Sequence, residues 1–379
     1  MQLSKIKRHI SNIPGWRTGR KLLVIESDDW GSIRMPNNEA RNRLLKKGVI
    51  TEGNRYNRYD TLATIDDLNS LFGVLKKYKD CKENSAVFTP VTITGNPDFE
   101  GVEKNEFQQY FCEPFTDTLQ RYYSNHEEIY SLWKEGIDAG IFCPQFHGRE
   151  HLNVAEWLRL LQKDDEVTRT AFQEGCWGFD LSKSKYSRIN SLQAAFDLYD
   201  MSEIANQAET IEEGLNMFET LFGYRATFFV PPNGPFNNSL EKTAAECGIR
   251  YMSKAKRQTE PLGEGKTRTV YHKPGSRNEH GQIILTRNCI FEPSEEGKDW
   301  VDSCISDIKI AFRMRKPAVI STHRVNYIGA LDESNRKRGL LQLDLLLKKI
   351  VKEWPEVEFI TSEQLGDIIK KDNYSSGQQ

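Results

Sequence analysis

The sequence predicts an α/β fold built on one parallel sheet or barrel. Short, continuous apolar runs of the kind found in strands buried on both faces recur along the chain, and each ends in polar or turn residues. Stretches with the apolar period of an amphipathic helix lie between them. Because strands alternate with helices, a parallel sheet covered by helices is expected rather than an antiparallel sandwich.

The first predicted strand is residues 21–25, and it leads directly into Glu26-Ser27-Asp28-Asp29-Trp30-Gly31. The further predicted strands are 85–89, 140–143, 225–230, 250–252, 282–286 and 318–322. The predicted helices are 66–78, 127–136, 211–222, 239–247, 300–313 and 338–351. Carboxylates therefore appear where the first strand ends.

The chain of 379 residues shows no composition shift that would mark an interdomain linker. Residues 1–370 are predicted to form a single α/β-barrel domain. The segment from about 152 to 220 has helical patterning and no convincing strand, which predicts a helical insertion in the barrel. Residues 371–379 have the polar composition of a disordered tail.

The amino-acid composition limits which class of partner and which cellular compartment are expected for the protein. The 52 Lys and Arg are balanced by 54 Asp and Glu, which argues against nucleic acid as a principal partner. No stretch approaches the roughly 20 apolar residues of a membrane-spanning helix. The basic N-terminus lacks the apolar run of a secretory signal, and the seven cysteines include no CxxC pair, so a cytoplasmic protein with reduced thiols is expected. A short interfacial helix with Ile6, Ile10 and Ile13 on one face is the alternative for that N-terminus.

Two histidines with metal-ligand spacing follow a predicted strand. His147 and His151 stand in His-Gly-Arg-Glu-His, and an i, i+4 spacing would place both imidazoles on one face of a helical turn. The alternative is a pair of surface or capping histidines. A metal site needs a third ligand from elsewhere in the chain.

The aspartate pair after the first strand offers that ligand. Two imidazoles and one carboxylate with an open position are how a catalytic Zn²⁺ or a similar ion is bound and water activated. The plain alternative is that Asp28 and Asp29 cap a helix or form a turn.

Two further features follow later strands. Pro231 and Pro232 force an extended turn that exposes the next backbone N–H groups, and His323 ends a late aliphatic strand. Each alone reads as an ordinary loop or a structural histidine. Because all four features follow different strands, an α/β barrel would bring them to its carboxyl-end face, where function is located.

These four motifs, in this order between about residues 20 and 325, resemble the polysaccharide deacetylase family, also called carbohydrate esterase family four. The family's Thr-Phe-Asp-Asp-Gly motif is similar to 26–31, and its HxxxH motif is His147 to His151. Its Arg-Pro-Pro-aromatic-Gly motif is similar to Val230-Pro231-Pro232-Asn233-Gly234, and its late strand histidine corresponds to His323.

The resemblance implies a role for each matched residue. Asp29, His147 and His151 would hold one divalent metal ion, with Zn²⁺ expected and Co²⁺, Ni²⁺ or Mn²⁺ as alternatives. Asp28 would be the general base and His323 the general acid. The N–H of Asn233, after Pro231 and Pro232, would donate to the oxyanion, and Pro232 and Trp30 would contact the substrate.

The sequence departs from the family pattern in three places. Val230 replaces the arginine before the two prolines, and Arg225, Arg149 or Arg324 are candidates to take its place. The Asp and Trp that orient the acid histidine are not recognisable in 251–257. Trp30 is inserted before Gly31 of the first motif. Three aromatic residues are expected either to stack on a sugar or to pack in the core: Trp30, Trp177 and Phe179.

The sequence therefore predicts a metal-dependent hydrolase that removes N- or O-linked acetyl groups from a carbohydrate. Two alternatives stay open: a metal- and sugar-binding protein with impaired catalysis, suggested by the departures, and a glycoside hydrolase on a related barrel, which would need a second carboxyl group near Asp28. The sequence sets neither the sugar nor the oligomeric state.

Overall fold

The computed structural model describes residues 8–376 and is organised around one curled parallel sheet. The thirteen strands are β1 (Lys21–Trp30), β2 (Phe88–Ile93), β3 (Gly95–Pro97), β4 (Cys112–Pro114), β5 (Gln145–Gly148), β6 (Phe228–Phe229), β7 (Tyr251–Ser253), β8 (Arg257–Pro261), β9 (Thr267–Tyr271), β10 (Ile283–Leu285), β11 (Cys289–Ile290), β12 (Ala318–His323) and β13 (Val357–Phe359). Eight strands follow the order β10-β7-β6-β5-β2-β1-β12-β11, and β13 pairs with the start of β1.

Helices cover the sheet. They are α1 (Asn38–Lys46), α2 (Arg55–Tyr59), α3 (Ile65–Lys77), α4 (Phe99–Lys104), α5 (Phe115–Tyr122), α6 (His126–Asp138), α7 (Val154–Gln162), α8 (Glu166–Gln173), α9 (Glu203–Phe222), α10 (Leu240–Glu246), α11 (Trp300–Arg313), α12 (Glu333–Glu353) and α13 (Ser362–Ser376). Short 3₁₀ turns occupy Leu181–Lys183 and Arg324–Asn326. The predicted α/β barrel is confirmed, in an open form whose edges are β10 and β11.

The first strand lies at the centre of the sheet. Leu22, Leu23, Val24 and Ile25 are buried on both faces, and β1 pairs in parallel with β2, β12 and β13. A continuous apolar run is what a strand covered on both sides requires. Its carboxyl end therefore sits in the middle of the face where the neighbouring strands also end.

Two antiparallel hairpins were not anticipated. β3 pairs with β4, and β8 pairs with β9 beside the end of β7. The short strands β11 and β13 also escaped the sequence analysis, because two or three residues give too little apolar periodicity to recognise.

The helical insertion is shorter than predicted. Helices α7 and α8 and the irregular chain after them pack with α1 around a hydrophobic cluster of their own. Helix α9, in contrast, packs Ile211, Leu215 and Phe218 against Phe146 and Phe229 of the sheet. The segment up to about residue 202 is thus the additional element, and α9 is the ordinary crossover before β6.

The C-terminal tail is corrected in part. Residues 371–376, expected to be disordered, continue α13, while 377–379 lie outside the described residues. Residues 1–7 also lie outside them, so the predicted Ile6–Ile10–Ile13 face is described only at its last two positions, both exposed. All seven cysteines are free thiols. In the described part of the chain, no helix is long and apolar enough to span a membrane.

Candidate active site

The carboxyl end of β1 turns two consecutive aspartates into the same cavity. Neighbouring residues of a regular strand face opposite sides, yet Asp28 and Asp29 both line one cavity of about 580 Å³. Asp29 has a φ of 73° and Gly31 a φ of 83°, and the pairing of β1 with β2 shifts register between Ser27 and Trp30. Aspartate is among the few side chains that tolerate this left-handed conformation.

His147 and His151 meet at the carboxylate of Asp29. Oδ1 of Asp29 lies 3.5 Å from Nε2 of His147 and 3.1 Å from Nε2 of His151. The spacing predicted that the two histidines share a helical turn, and this is wrong. His147 is the next-to-last residue of β5, and the chain turns at Gly148, the last residue, whose φ is 128°. All three ligand candidates are buried.

The three side chains fit a divalent cation. Nδ1 of His147 lies 2.6 Å from the carbonyl oxygen of Val230, so this ring N–H donates to the backbone and leaves a lone pair on Nε2. Burial lowers the pKa of His151 to about 4, which keeps that ring neutral. Two ligands of a tetrahedral ion about 2.1 Å away lie roughly 3.4 Å apart, close to the separations observed here.

The second carboxylate oxygen of Asp29 belongs to a buried chain of ion pairs. Arg34 Nη2 lies 3.1 Å from Oδ2 of Asp29, and Arg34 Nε lies 3.0 Å from Oδ2 of Asp60. Asp60 in turn pairs with Arg324 at 2.8 Å. Burial raises the pKa of Asp29, but Arg34 and His151 outweigh burial and hold it well below its usual range. Asp29 is therefore ionised, with its second oxygen facing Arg34.

Asp28 is paired with Arg287, a residue that the sequence analysis missed. Nη1 and Nη2 of Arg287 each lie 2.6 Å from one carboxylate oxygen of Asp28, and Nε lies 2.6 Å from Oε2 of Glu26. Burial raises the pKa of Asp28, but Arg287 outweighs it and the net pKa falls below the usual value. The cation missing at Val230 is thus supplied two residues after β10.

The three arginines proposed for that position are engaged elsewhere. None of Arg225, Arg149 and Arg324 forms an ion pair with Asp28. Arg225 pairs with Glu219 and Arg324 with Asp60, and Arg149 pairs with Glu150 and Glu213. A usable signal for Arg287 did exist, because it follows an apolar strand just as Asp28 and His323 do.

Glu292 orients His323. Nδ1 of His323 lies 2.6 Å from Oε1 of Glu292, and Nε2 lies 3.8 Å from Oδ2 of Asp28. Burial disfavours the charged ring, but Glu292 and the two nearby aspartates outweigh burial and raise the pKa of His323 to about 9. Arg55 and Asn326 hold the other oxygen of Glu292, at 2.7 and 2.8 Å. The orienting carboxylate thus comes from the chain after β11 and not from 251–257.

Of the two residues in the loop after β6 that were predicted to contact substrate, one lines the cavity. Asn233 is exposed, has a φ of 54° and lines the cavity, and among the described residues its backbone N–H has no hydrogen-bond acceptor. Pro231 also lines the cavity. Pro232 does not: it is buried outside the lining, which corrects its assignment to the substrate surface.

The predicted aromatic platform is part of the core. Trp30 is 1% exposed, packs edge-on against Trp133 and Phe142 and does not line the cavity, so its assignment to the substrate is corrected. Trp177, also 1% exposed, lies in the insertion and stacks on the ring of His151, with the ring centroids 6.1 Å apart. Phe179 is buried in the cluster of α7 and α8.

Comparisons with known proteins gave matches among solved structures. No family model and no curated protein matches the sequence. Solved structures that resemble the chain include polysaccharide deacetylases. One is a Mycobacterium smegmatis protein assigned to that class, with 11% identity and a TM-score of 0.47 over 95% of this chain and 94% of the other.

Two other similar structures are the peptidoglycan deacetylase PdaC from Bacillus subtilis and a 4-alpha-glucanotransferase from Thermococcus litoralis. PdaC has 12% identity and a TM-score of 0.37 over 95% of this chain and 96% of its own. The glucanotransferase has 12% identity and a TM-score of 0.45 over 91% of this chain and 40% of its own. Any functional conclusion must therefore come from the residues of the site.

Proposed function

We propose that the protein is a metal-dependent hydrolase that removes N- or O-linked acetyl groups from a carbohydrate. One observation carries this proposal: a buried Asp-His-His triad shares a cavity with an aspartate and a histidine whose pKa values are shifted apart. Groups held in opposite protonation states next to a metal-ligand set are what a hydrolytic site needs.

Asp29, His147 and His151 would hold the ion. Two neutral imidazoles and one carboxylate suit Zn²⁺, and Co²⁺, Ni²⁺ or Mn²⁺ accept the same ligands. When bound, such an ion supplies Lewis acidity toward a carbonyl oxygen and lowers the pKa of water. The ion pair with Arg34 fixes the second oxygen of Asp29, so that Oδ1 faces the two histidines.

Asp28 is proposed as the general base. It is ionised because Arg287 favours its charged form, and it lines the cavity beside the triad. The bidentate pairing prevents rotation of the carboxylate, so its position relative to an attacking water is set before substrate binds. General base catalysis of this kind typically contributes about 10²–10⁴-fold to the rate.

His323 is proposed as the general acid. At neutral pH it is protonated, and its Nδ1–H donates to Glu292, which leaves Nε2–H directed toward the side where Asp28 lies. It would give that proton to the departing sugar nitrogen or oxygen. The backbone N–H of Asn233 is proposed as the donor to the oxyanion, since it has no acceptor in the described chain and sits at the cavity wall.

The alternatives receive less support. A sugar-binding protein with impaired catalysis was suggested by the missing arginine and orienting acid, and Arg287 and Glu292 occupy those roles. A glycosidase needs a second available carboxyl group. Besides Asp28, the carboxylates lining the cavity are Asp29, whose Oδ1 faces the two histidines, and Asp307, which pairs with Arg8 of the N-terminal segment.

The proposal is tested by acetate release from acetylated sugars. Metal-loaded protein should release acetate from at least one member of a panel of N- and O-acetylated mono- and oligosaccharides, and a chelator should stop it. Asp28→Asn should lower kcat by about 10²-fold or more while the metal content stays at one equivalent. Release of reducing ends without acetate would instead favour a glycosidase.

A further inference from the structure

The cavity extends beyond the proposed catalytic residues into a second region. This distal region consists of Arg8, Ser11, Lys256, Asn288, Lys298 and Asp307, all of which line the same cavity as the triad. Asn288 directly follows Arg287, so the region adjoins the base. The N-terminal segment forms one of its walls.

That wall is fixed to the barrel by its backbone. Nζ of Lys316 lies 2.7–2.8 Å from the carbonyl oxygens of Pro14, Gly15 and Trp16, and Asn288 donates to Asn12 at 3.2 Å. The distal region is thus built from packed elements and is not an accidental surface groove.

The cations around the proposed catalytic residues are paired with carboxylates, whereas the distal region has more cations than carboxylates. Around the catalytic residues, the lining cations Arg34 and Arg287 each face carboxylates. In the distal region, three cations face a single carboxylate, Asp307, which is paired with Arg8. Within residues 8–376, Lys256 and Lys298 form no ion pair, so the positive charges of the distal region outnumber its one carboxylate.

Each of the two ammonium groups contacts an uncharged neighbour. Lys256 is partly buried, and its Nζ donates to the carbonyl oxygen and the hydroxyl of Ser11 at 2.7 and 3.4 Å, which leaves one N–H donor for a ligand. Nζ of Lys298 lies 3.7 Å from the ring centroid of Trp300. For the partly buried Lys256, an ammonium without a counter-charge is unfavourable, and an anionic ligand group would relieve that cost. Lys298 is exposed and adds a second positive charge to the cavity lining.

We propose that the distal region binds an anionic substituent, a phosphate or a carboxylate, carried by the carbohydrate substrate. This inference rests on the proposed function, in that it names the class of sugar that the site would process. Charge-assisted hydrogen bonds from two ammonium groups should strengthen binding of such a sugar about tenfold or more over a neutral one.

The test is calorimetric binding to metal-loaded protein, which does not require turnover. The probes are N-acetylglucosamine, N-acetylglucosamine 6-phosphate and N-acetylmuramic acid, measured at low and high salt. We expect at least one charged probe to bind about tenfold tighter than the neutral sugar, with the preference shrinking at high salt. Which charged probe is preferred distinguishes phosphate from carboxylate.

The variants are Lys256→Gln and Lys298→Gln, each of which should reduce the preference for the charged probe several-fold. Lys348→Gln, on an exposed position of α12, is the matched control and should change nothing. Equal binding of all probes, no binding of either charged probe, or a preference that persists in both variants, as when the anion binds the metal itself, would overturn the inference. If the preference is present but no acetylated sugar is ever hydrolysed, the proposed function fails and the anion site stands.

Discussion

Both oxygens of the Asp28 carboxylate are held by one guanidinium, with Nη1 and Nη2 of Arg287 at 2.6 Å. The two residues are 259 positions apart in the chain. Fork-to-fork pairing fixes the orientation as well as the charge of a carboxylate. Arg287 also donates to Glu26 of β1, so it links Asp28 to a buried carboxylate of the same strand.

Arg287→Gln should therefore raise the pKa of Asp28, the proposed general base, and free its carboxylate to rotate. Without the guanidinium, burial dominates and the pKa of Asp28 rises, so the acidic limb of the kcat/KM profile should move to higher pH. We expect kcat at neutral pH to fall about 10²-fold. Arg287→Lys, which retains charge but loses the fork, is the control and should keep the limb closer to wild type. An unchanged profile in Arg287→Gln would show that Asp28 does not limit the rate.

Glu292→Gln should move the alkaline limb of the pH–activity profile to lower pH. Glu292 is the main group that raises the pKa of His323, and without it burial lowers that pKa. The alkaline limb of the activity profile, expected near pH 9, should move down by about one pH unit or more. The measurement is kcat/KM from pH 6 to 10 in both proteins. A limb that stays in place would mean that His323 is not the acid.

His147→Ala should abolish stoichiometric metal binding. The variant removes one of three ligands and the N–H donor to the Val230 carbonyl. Metal analysis should find about one equivalent in the wild type and none in the variant. Chelation should lower the melting temperature of the wild type only, since an ion at about 100 times its Kd stabilises the folded state by roughly 2.7 kcal/mol. Equal metal content in both proteins would refute the assigned ligand set.

Asp60→Asn should destabilise the fold strongly. Asp60 compensates Arg34 and Arg324, and all three side chains are buried. Removing one partner of a buried ion pair typically costs about 3–5 kcal/mol. The exposed pair Lys77–Asp344 offers a matched control, because Asp344→Asn should cost about 1 kcal/mol or less. Urea denaturation of both variants measures the difference, and equal losses would contradict the role of burial.

The sequence located the groups that are themselves strand-end motifs. Asp28, Asp29, His147 and His323 each follow an apolar run, and parallel strands bring such positions to one edge. Arg287 and Glu292 follow short strands too, but nothing local in the sequence says which distant carboxylate or imidazole each contacts. Such pairings depend on the order of strands in the sheet.

The sequence wrongly predicted the surroundings of an aromatic residue beside the aspartate motif. Trp30 stands between an aspartate motif and a glycine, so its position in the sequence suggested a substrate contact. In the fold, the same strand that turns Asp28 and Asp29 to the cavity turns the indole into the core, where its Nε1 donates to Ser27. Which way a side chain faces after a register shift is not encoded in the alternation pattern.

The left-handed backbone at Asp29 makes the length of this segment a tighter constraint than its composition. The turn at Asp29 places two successive carboxylates on one side, and Gly31 then passes close to the carbonyl of Ile93, where a Cβ would lie 2.4 Å from that oxygen. A residue inserted or deleted between Ser27 and Gly31 would send one carboxylate toward the hydrophobic interior. Variation that preserves both aspartates should therefore accumulate through exchanges and not through gaps in this stretch.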